Sequence, residues 1–282
     1  MHHDTLSARR IASPVDNSFT SIVIFGASGR MGARIAALAQ LDPAFDLRAL
    51  IVREKTPRNG DPITLPHGPT PPPASAPIDR AGDKTIHLKT RKNIGKTVVS
   101  AHVVIDFSSD AGALESIALA EQLNAALLVG TTALSPPSID ALRAASRSRA
   151  VLVAPNTSLG VAALSVLLAQ SCKIFGPDYT CTIVEAHHAA KKDAPSGTAL
   201  RLASVAHEHG HTLSTDQILS IRAGDTIGDH TIRFTGPDEL IELTHRAISR
   251  DLFARGALRA AAWLNGKPAG WYSMHDVLAL PG

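Results

Sequence analysis

The stretch Glu185-Ala-His-His-Ala-Ala-Lys-Lys-Asp-Ala-Pro-Ser-Gly-Thr-Ala-Leu200 sets two adjacent imidazoles beside two ammonium groups and two carboxylates. It then passes through a Pro-Ser-Gly-Thr turn into a helical pattern. An imidazole such as that of His187 gives or takes a proton under mild conditions. Lys191 offers a proton or a positive charge on a flexible stem. Ser196, Gly197 and Thr198 stand where a helix begins, and free backbone N–H groups there hold anions. This is chemistry for a small, negatively charged molecule that must be protonated. Neighbouring histidines and paired lysines are usually solvated features, so the reading rests on their conjunction with the turn. No third ligand stands at a suitable spacing from His187 and His188, and no metal is expected.

A second signal stands in the N-terminal part of the chain. Ser21-Ile-Val-Ile-Phe25 predicts a buried parallel strand. It runs into Gly26-Ala-Ser-Gly-Arg-Met-Gly32, then into a helical pattern over Ala33–Gln40 and a second strand over Phe45–Val52. Strand, glycine turn, helix and strand open a dinucleotide-binding unit. Gly26 permits the tight turn, Gly29 lets backbone approach a pyrophosphate, and Gly32 lets the helix pack closely. Ser28 occupies the position where the commoner motif has its second glycine. The second strand ends Ile51-Val-Arg-Glu-Lys55, with Val52 where an acid would hold the ribose hydroxyls of NAD. Arg53 is a basic group for the extra phosphate of NADP, so NADPH is the expected cofactor, with NADH as a second.

Composition limits the alternatives. The chain has 282 residues, 44% hydrophobic and 19% charged, with a net charge of +3. That charge is too small and too dispersed to argue for nucleic acid. The first 18 residues lack an apolar core, and no apolar run reaches the roughly 18–20 residues that span a bilayer. Cys172 and Cys181 have no metal-ligand spacing, which suits a reducing, cytoplasmic setting.

Residues 1–19 read as a leader. Between Pro57 and Pro77 the prolines are too dense for a packed helix or central strand, so about 56–83 is expected to be an inserted loop. A short strand is expected at 85–88. Strands are then predicted over His102–Phe107, Ala125–Gly130 and Ala150–Ala154, with helices over Asp110–Leu123 and Pro136–Ser148. The strand ends carry Phe107-Ser-Ser109, Gly130-Thr-Thr132 and Ala154-Pro-Asn156, small polar turns where ligands of such sheets sit. Beyond an apolar helix over Ser158–Phe175, the pattern becomes a strand over Thr180–Glu185, a helix over Gly197–His209 and three strands over Gln217–Ala223, His230–Thr235 and Glu239–His245. Runs of strands predict an α+β second domain. Asp251–Asn265 returns to helix, with one more turn over Met274–Leu278.

These residues together resemble the dihydrodipicolinate reductase family, also called 4-hydroxy-tetrahydrodipicolinate reductases. The likeness runs from about Ser21 to the C-terminus. It is carried by Gly26–Gly32, Val104–Phe107, Gly130-Thr-Thr132, Asn156–Val161, Glu185–His188 with Lys191 and Asp193–Ala199, Arg222–His230 and Glu242–Arg246. The resemblance implies an enzyme of diaminopimelate and lysine synthesis that reduces a ring-shaped 2,6-dicarboxylate with NAD(P)H. By that likeness His187 is the acid/base and Lys191 the proton donor, and His188, Lys191, Ser196, Gly197 and Thr198 hold the carboxylates. Gly26, Ala27, Ser28, Gly29, Arg30, Met31, Arg53, Gly130, Thr131, Thr132, Ala154, Pro155, Asn156 and Thr157 fall to the cofactor. Thr157 departs from the aromatic or Met often found at its position. The implied architecture is α/β. A Rossmann-like domain over 20–155 and 250–282 joins a smaller α+β substrate and tetramerisation domain over 156–249, in a homotetramer. Two rivals share the glycine turn: another two-domain NAD(P)-dependent amino-acid or semialdehyde dehydrogenase, and a non-catalytic NAD(P)-binding sensor. Neither needs His187, Lys191 and Ser196–Thr198 together.

Overall fold

The structure, a computed structural model, describes residues 19–52, 88–90 and 100–278. Most of the expected leader, Arg53, the proline-dense insertion and residues 85–87 of the expected short strand lie outside the described residues.

The first unit grows from short apolar runs that can only be strands buried on both faces. β1 (Thr20–Phe25), α1 (Arg30–Leu41), β2 (Phe45–Val52), β3 (Leu88–Thr90), β4 (Val103–Asp106), α2 (Asp110–Gln122), β5 (Ala126–Val129), α3 (Pro136–Ala145) and β6 (Ala150–Val153) alternate along the chain. The strands align in parallel in the order β3-β2-β1-β4-β5-β6. This is the doubly wound order whose switch point lies between β1 and β4. Ile22 and Ile24 of β1 face a core shared with α1, while Val23 and Phe25 face the opposite core with α2 and α3.

A long helix, α4 (Leu159–Phe175), carries the chain to a second sheet. That sheet holds β7 (Thr180–His187), β8 (Ile218–Arg222), β9 (Asp229–Thr235) and β10 (Leu240–Arg246) in the order β10-β9-β7-β8. The β7–β8 pair is parallel and the others antiparallel. Helix α5 (Gly197–Glu208) joins β7 to β8. One face of the sheet, with Ile183, Ile232 and Phe234, packs under α4 and α5 through Leu164, Leu168 and Leu202. Leu159–Asp178, α4 with the 3-10 turn that extends it, is long and apolar enough by composition to cross a membrane, contrary to the expectation that no segment reaches that length. In this fold its Leu164, Leu168 and Cys172 line the second core.

The chain then returns. Helix α6 (Asp251–Leu264) lies against α1, β1, β4 and β5, and Arg34 of α1 pairs bidentately with Asp251 at its start. β11 (Gly270–Tyr272) adds a seventh parallel strand beside β6, followed by α7 (Met274–Val277). β11 was not expected, because three residues, Gly-Trp-Tyr, carry no periodicity to read. The architecture is a Rossmann-like parallel sheet with helices on both faces plus a smaller mixed-sheet unit, as expected.

Candidate active site

The glycine turn follows β1 directly. Gly26 has φ +84°, and a Cβ there would stand 2.5 Å from the Phe107 carbonyl oxygen. The turn is tied to the end of β2 by N–H bonds from Gly26 and Ala27 to the Ile51 carbonyl, 3.0 and 3.1 Å. A Cβ on Gly32 would fall 2.4 Å from the Gly26 carbonyl oxygen, so the first turn of α1 sits against bare backbone. Ser28, Gly29 and Arg30 are exposed, Met31 is partly buried, and Ala27 belongs to the core. The result is a cradle of glycine backbone, closed by a helix N-terminus whose amides attract phosphate. These residues fit a dinucleotide.

The neighbouring strand ends are braced by one buried acid. Asp106, at the end of β4, accepts hydrogen bonds from Ser108 Oγ at 2.5 Å and Thr131 Oγ1 at 2.8 Å. Burial raises its pKa to about 6, against the lowering effect of those bonds. Thr131 Oγ1 also accepts the Ser108 N–H at 2.8 Å, so the turns after β4 and β5 are locked together. The Phe107 ring lies over Gly130, where a Cβ would come within 2.1 Å of it. Thr132 is exposed at this rim, as is Pro155, whereas Thr131 and Ala154 are buried. Thr157 is turned away from the rim. It is buried, its hydroxyl donates to the Phe253 carbonyl at 2.7 Å, and its own carbonyl occupies the space a Cβ on Gly256 would take.

In the second unit β7 runs two residues further than its apolar pattern predicted, to His187. Strand alternation therefore puts Glu185 and His187 on one face, and both are buried. Glu185 Oε2 lies 2.5 Å from His187 Nδ1. The same carboxylate accepts from Arg222 at 2.9 and 2.7 Å and from the Ser196 N–H at 3.2 Å. Burial alone would raise the Glu185 pKa, but the bonds from Arg222, Ser220 and His187 and the Arg222 charge hold it at about 2. An ionised carboxylate only accepts, so the proton of that contact sits on His187 Nδ1 and leaves Nε2 as the working nitrogen. His187 Nε2 faces Gly228, where a Cβ would stand 3.0 Å away.

The loop after β7 is fastened to the 223–224 turn by the Ala223 N–H to the His187 carbonyl and the Ala189 N–H to the Gly224 carbonyl, 3.0 and 3.1 Å. Lys191 lies in this loop, with Nζ 2.8 and 2.7 Å from the two carboxylate oxygens of Asp193. An ammonium has three donors, so one remains for a ligand. His188, whose carbonyl accepts the Lys191 N–H at 3.0 Å, is partly buried. Ser196 caps α5, its Oγ accepting the Ala199 N–H at 3.1 Å. The amides of Gly197 and Thr198 have no acceptor among the described residues, as expected for the first positions of a helix. Asn156 Nδ2 donates to Thr198 Oγ1 at 3.1 Å, which joins the last of the cofactor-side turns to the start of α5.

The predicted residues thus assemble into two neighbouring sets, with Asn156 and Thr198 at their junction; Arg53 lies outside the described residues. Glu185, Arg222 and His230 complete the second set and were not singled out by the sequence. Glu185 had a signal: extending the β7 alternation by two residues places it beside His187. Arg222 and His230 arrive from β8 and β9, in register with His187 and Glu185 respectively.

Comparisons with known proteins identify a family. The family described as "Dihydrodipicolinate reductase, N-terminus" matches residues 20–157, and "Dihydrodipicolinate reductase, C-terminus" matches residues 160–278. A 4-hydroxy-tetrahydrodipicolinate reductase of Anaeromyxobacter dehalogenans is 36% identical, covering 93% of this chain and 99% of that protein. Another, of Xanthomonas euvesicatoria pv. vesicatoria, is 38% identical over 93% of this chain and 98% of its own. Among solved structures, dipicolinate-bound dihydrodipicolinate reductase from Paenisporosarcina sp. shares the fold, with a TM-score of 0.66 and 20% identity over 91% of this chain and 98% of that one. With both halves matched and relatives above 30% identity along nearly its whole length, the chain belongs to the dihydrodipicolinate reductase family.

Proposed function

We propose that the chain reduces 4-hydroxy-tetrahydrodipicolinate to tetrahydrodipicolinate with NAD(P)H, as its family relationship implies, and that NADPH is the preferred cofactor. The observation that supports this best is the grouping of the Glu185-oriented His187, Lys191 and the open amides of Gly197 and Thr198 within one loop and helix start. A two-domain amino-acid dehydrogenase or a nucleotide sensor has no need of that grouping.

The proposed division of labour is drawn from the motifs and, for the described residues, is supported by their positions. Gly26, Ala27, Ser28, Gly29, Arg30 and Met31 would hold the pyrophosphate, with Gly130, Thr131, Thr132, Ala154, Pro155 and Asn156 along the strand ends, and Thr157 through its backbone. Arg53 would meet the 2′-phosphate. The cofactor, when bound, supplies a hydride to the substrate ring. Residues 20–155 and 250–282 form the cofactor side, and 156–249 the substrate side. There the amides of Gly197 and Thr198, with Ser196, His188 and Lys191, hold the two carboxylates. Charge developing on the conjugated ring is met by the Lys191 ammonium and the helix-start amides. With a hydride added and the 4-hydroxyl lost as water, the reduction takes up one proton, which His187 Nε2 or Lys191 Nζ delivers. Glu185 fixes the imidazole so that Nε2, and not Nδ1, is presented.

We further propose a cytoplasmic homotetramer joined through the open face of the four-stranded sheet. Leu219 and Ile221 there are each 49% exposed, opposite Val184 and Ala186 in register, an apolar strip on a face that also carries the exposed Leu240. Leu219→Lys with Ile221→Lys should lower the mass measured by light scattering; an unchanged mass places the contact elsewhere.

The activity is tested by mixing the protein with freshly made condensation product of pyruvate and aspartate semialdehyde and following loss of NADPH absorbance, with NADH in parallel. Rapid oxidation that depends on the condensation product supports the reaction. His187→Ala and Lys191→Ala should each lower kcat on the order of 100-fold with NADPH binding little changed. Wild-type turnover in either variant removes that residue from the mechanism.

A further inference from the structure

His230 lies on β9 directly opposite Glu185, with His245 of β10 on its other side. It is 3% exposed, and its ring meets that of His187 edge-on at 5.3 Å between centroids. Its Nε2 is 3.2 Å from Ser196 Oγ, and its Nδ1 is buried without a hydrogen-bond partner among the described residues. Ser196 is itself 2% exposed.

A serine hydroxyl accepts at two positions and donates from one. One acceptor position of Ser196 Oγ is filled by the Ala199 N–H. The tautomer of His230 decides the rest. With the proton on Nδ1, Ser196 donates to Nε2, and a buried imidazole N–H is stranded with no acceptor among the described residues. With the proton on Nε2, His230 donates to Ser196 Oγ, fills its second acceptor position and leaves the serine O–H as the spare donor. A stranded buried N–H is the rarer arrangement in folded proteins. The spare O–H of the second arrangement lies at the start of α5, next in sequence to the open amides of Gly197 and Thr198. Ser196 is too buried to spend that proton on water, so a carboxylate at the helix start satisfies it.

We propose that His230 is a positioning residue for substrate recognition, which donates from Nε2 to Ser196 Oγ and thereby commits the Ser196 hydroxyl proton to a carboxylate of the substrate. This rests on the reading of Ser196 as a substrate-holding residue. The imidazole stays neutral for the purpose: burial, with the neighbouring His187, His245 and Lys191 charges, outweighs Glu185 and lowers its pKa to about 4. His245 makes a longer version of the same contact, with Nε2 3.4 Å from Ser158 Oγ, the cap of α4.

The test is a double-mutant cycle on the assembled enzyme with steady-state kinetics. His230→Phe should raise KM for the dicarboxylate about 10-fold, with the smaller part of its effect in kcat and with NADPH affinity within about twofold. His230→Gln, whose amide nitrogen stands near the position of Nε2, should recover most of the loss. In a Ser196→Ala background His230→Phe should cost nothing further. Full additivity of the two substitutions, or a Gln variant as impaired as Phe, overturns the inference. A Ser196→Ala enzyme with wild-type KM overturns the underlying reading of Ser196 instead. A second measurement needs no variant: 15N spectra of the wild-type enzyme with dipicolinate added should show His230 protonated at Nε2. Protonation at Nδ1 in that complex also overturns it.

Discussion

Replacing Glu185 by Gln tests the orientation of His187 more sharply than removing His187 itself. The carboxylate serves two sides at once. Oε1 takes the Ser196 N–H and Arg222 Nη2, while Oε2 takes His187 Nδ1 and Arg222 Nη1. All four partners donate, and an amide has only one oxygen to offer them. A Gln that keeps His187 turns its NH2 group toward the Ser196 amide and Arg222; one that keeps Ser196 releases the imidazole. Either way the Arg222 guanidinium loses its counter-charge. Removing one member of a buried pair costs roughly 3–5 kcal/mol. The lower end applies, since Arg222 retains bonds to the Asp193 and Ile221 carbonyls at 2.7 and 2.8 Å and an 18% exposed side chain. A loss of about 3 kcal/mol lowers Tm by roughly 6–12 °C in a chain of this size. Loss of the correct imidazole orientation should cut kcat on the order of 100-fold, with NADPH affinity unchanged because the cradle at Gly26–Met31 is elsewhere. Stopped-flow NADPH oxidation and calorimetry measure the two effects on the same preparation. A Glu185→Gln enzyme with wild-type kcat would refute the claim that the carboxylate presents His187, whatever its Tm.

Gly32→Ala should weaken NADPH binding at least about 10-fold by fluorescence titration, because its Cβ would press on the Gly26 carbonyl and the Ala27 Cα, backbone that cannot step aside. Arg53→Ala should lower the NADPH-to-NADH ratio of kcat/KM about 10-fold, the value of one charge-assisted bond; an unchanged ratio assigns the preference to another group. Acid stability should report His230. Its folded pKa of about 4 lies below the ordinary 6.5, so the unfolded chain binds the proton first and stability falls as pH drops from about 6.5 to about 4. The groups facing it are His187, Glu185, His245 and Lys191. Urea unfolding of His230→Phe should therefore gain about 2 kcal/mol relative to the wild type between pH 6.5 and 4.5. Parallel curves for the two proteins across that window would show that the imidazole is not held neutral by the fold.

Much of this protein is written in local pattern. The alternation of short apolar runs with helical periods specifies the parallel sheet, because a strand buried on both faces and a crossover helix have few other ways to pack. Gly26 and Gly32 carry their purpose in their type, since glycine best accepts φ +84° and a Cβ at either position would press on backbone. The grouping of His187, Lys191 and Ser196–Thr198 was likewise visible, being contiguous in the chain. What the sequence could not carry was the wiring between strands. Glu185 becomes the hub of the site only when β7 extends to His187, β8 brings Arg222 alongside and β9 sets His230 opposite. Those neighbours stand 37 and 45 positions away, and register, not spacing, brings them together. The return of the C-terminal segment to the first sheet was implied by the resemblance alone and not by local pattern: Arg34 with Asp251, and three residues beside β6, are contacts that exist only after the chain has folded back.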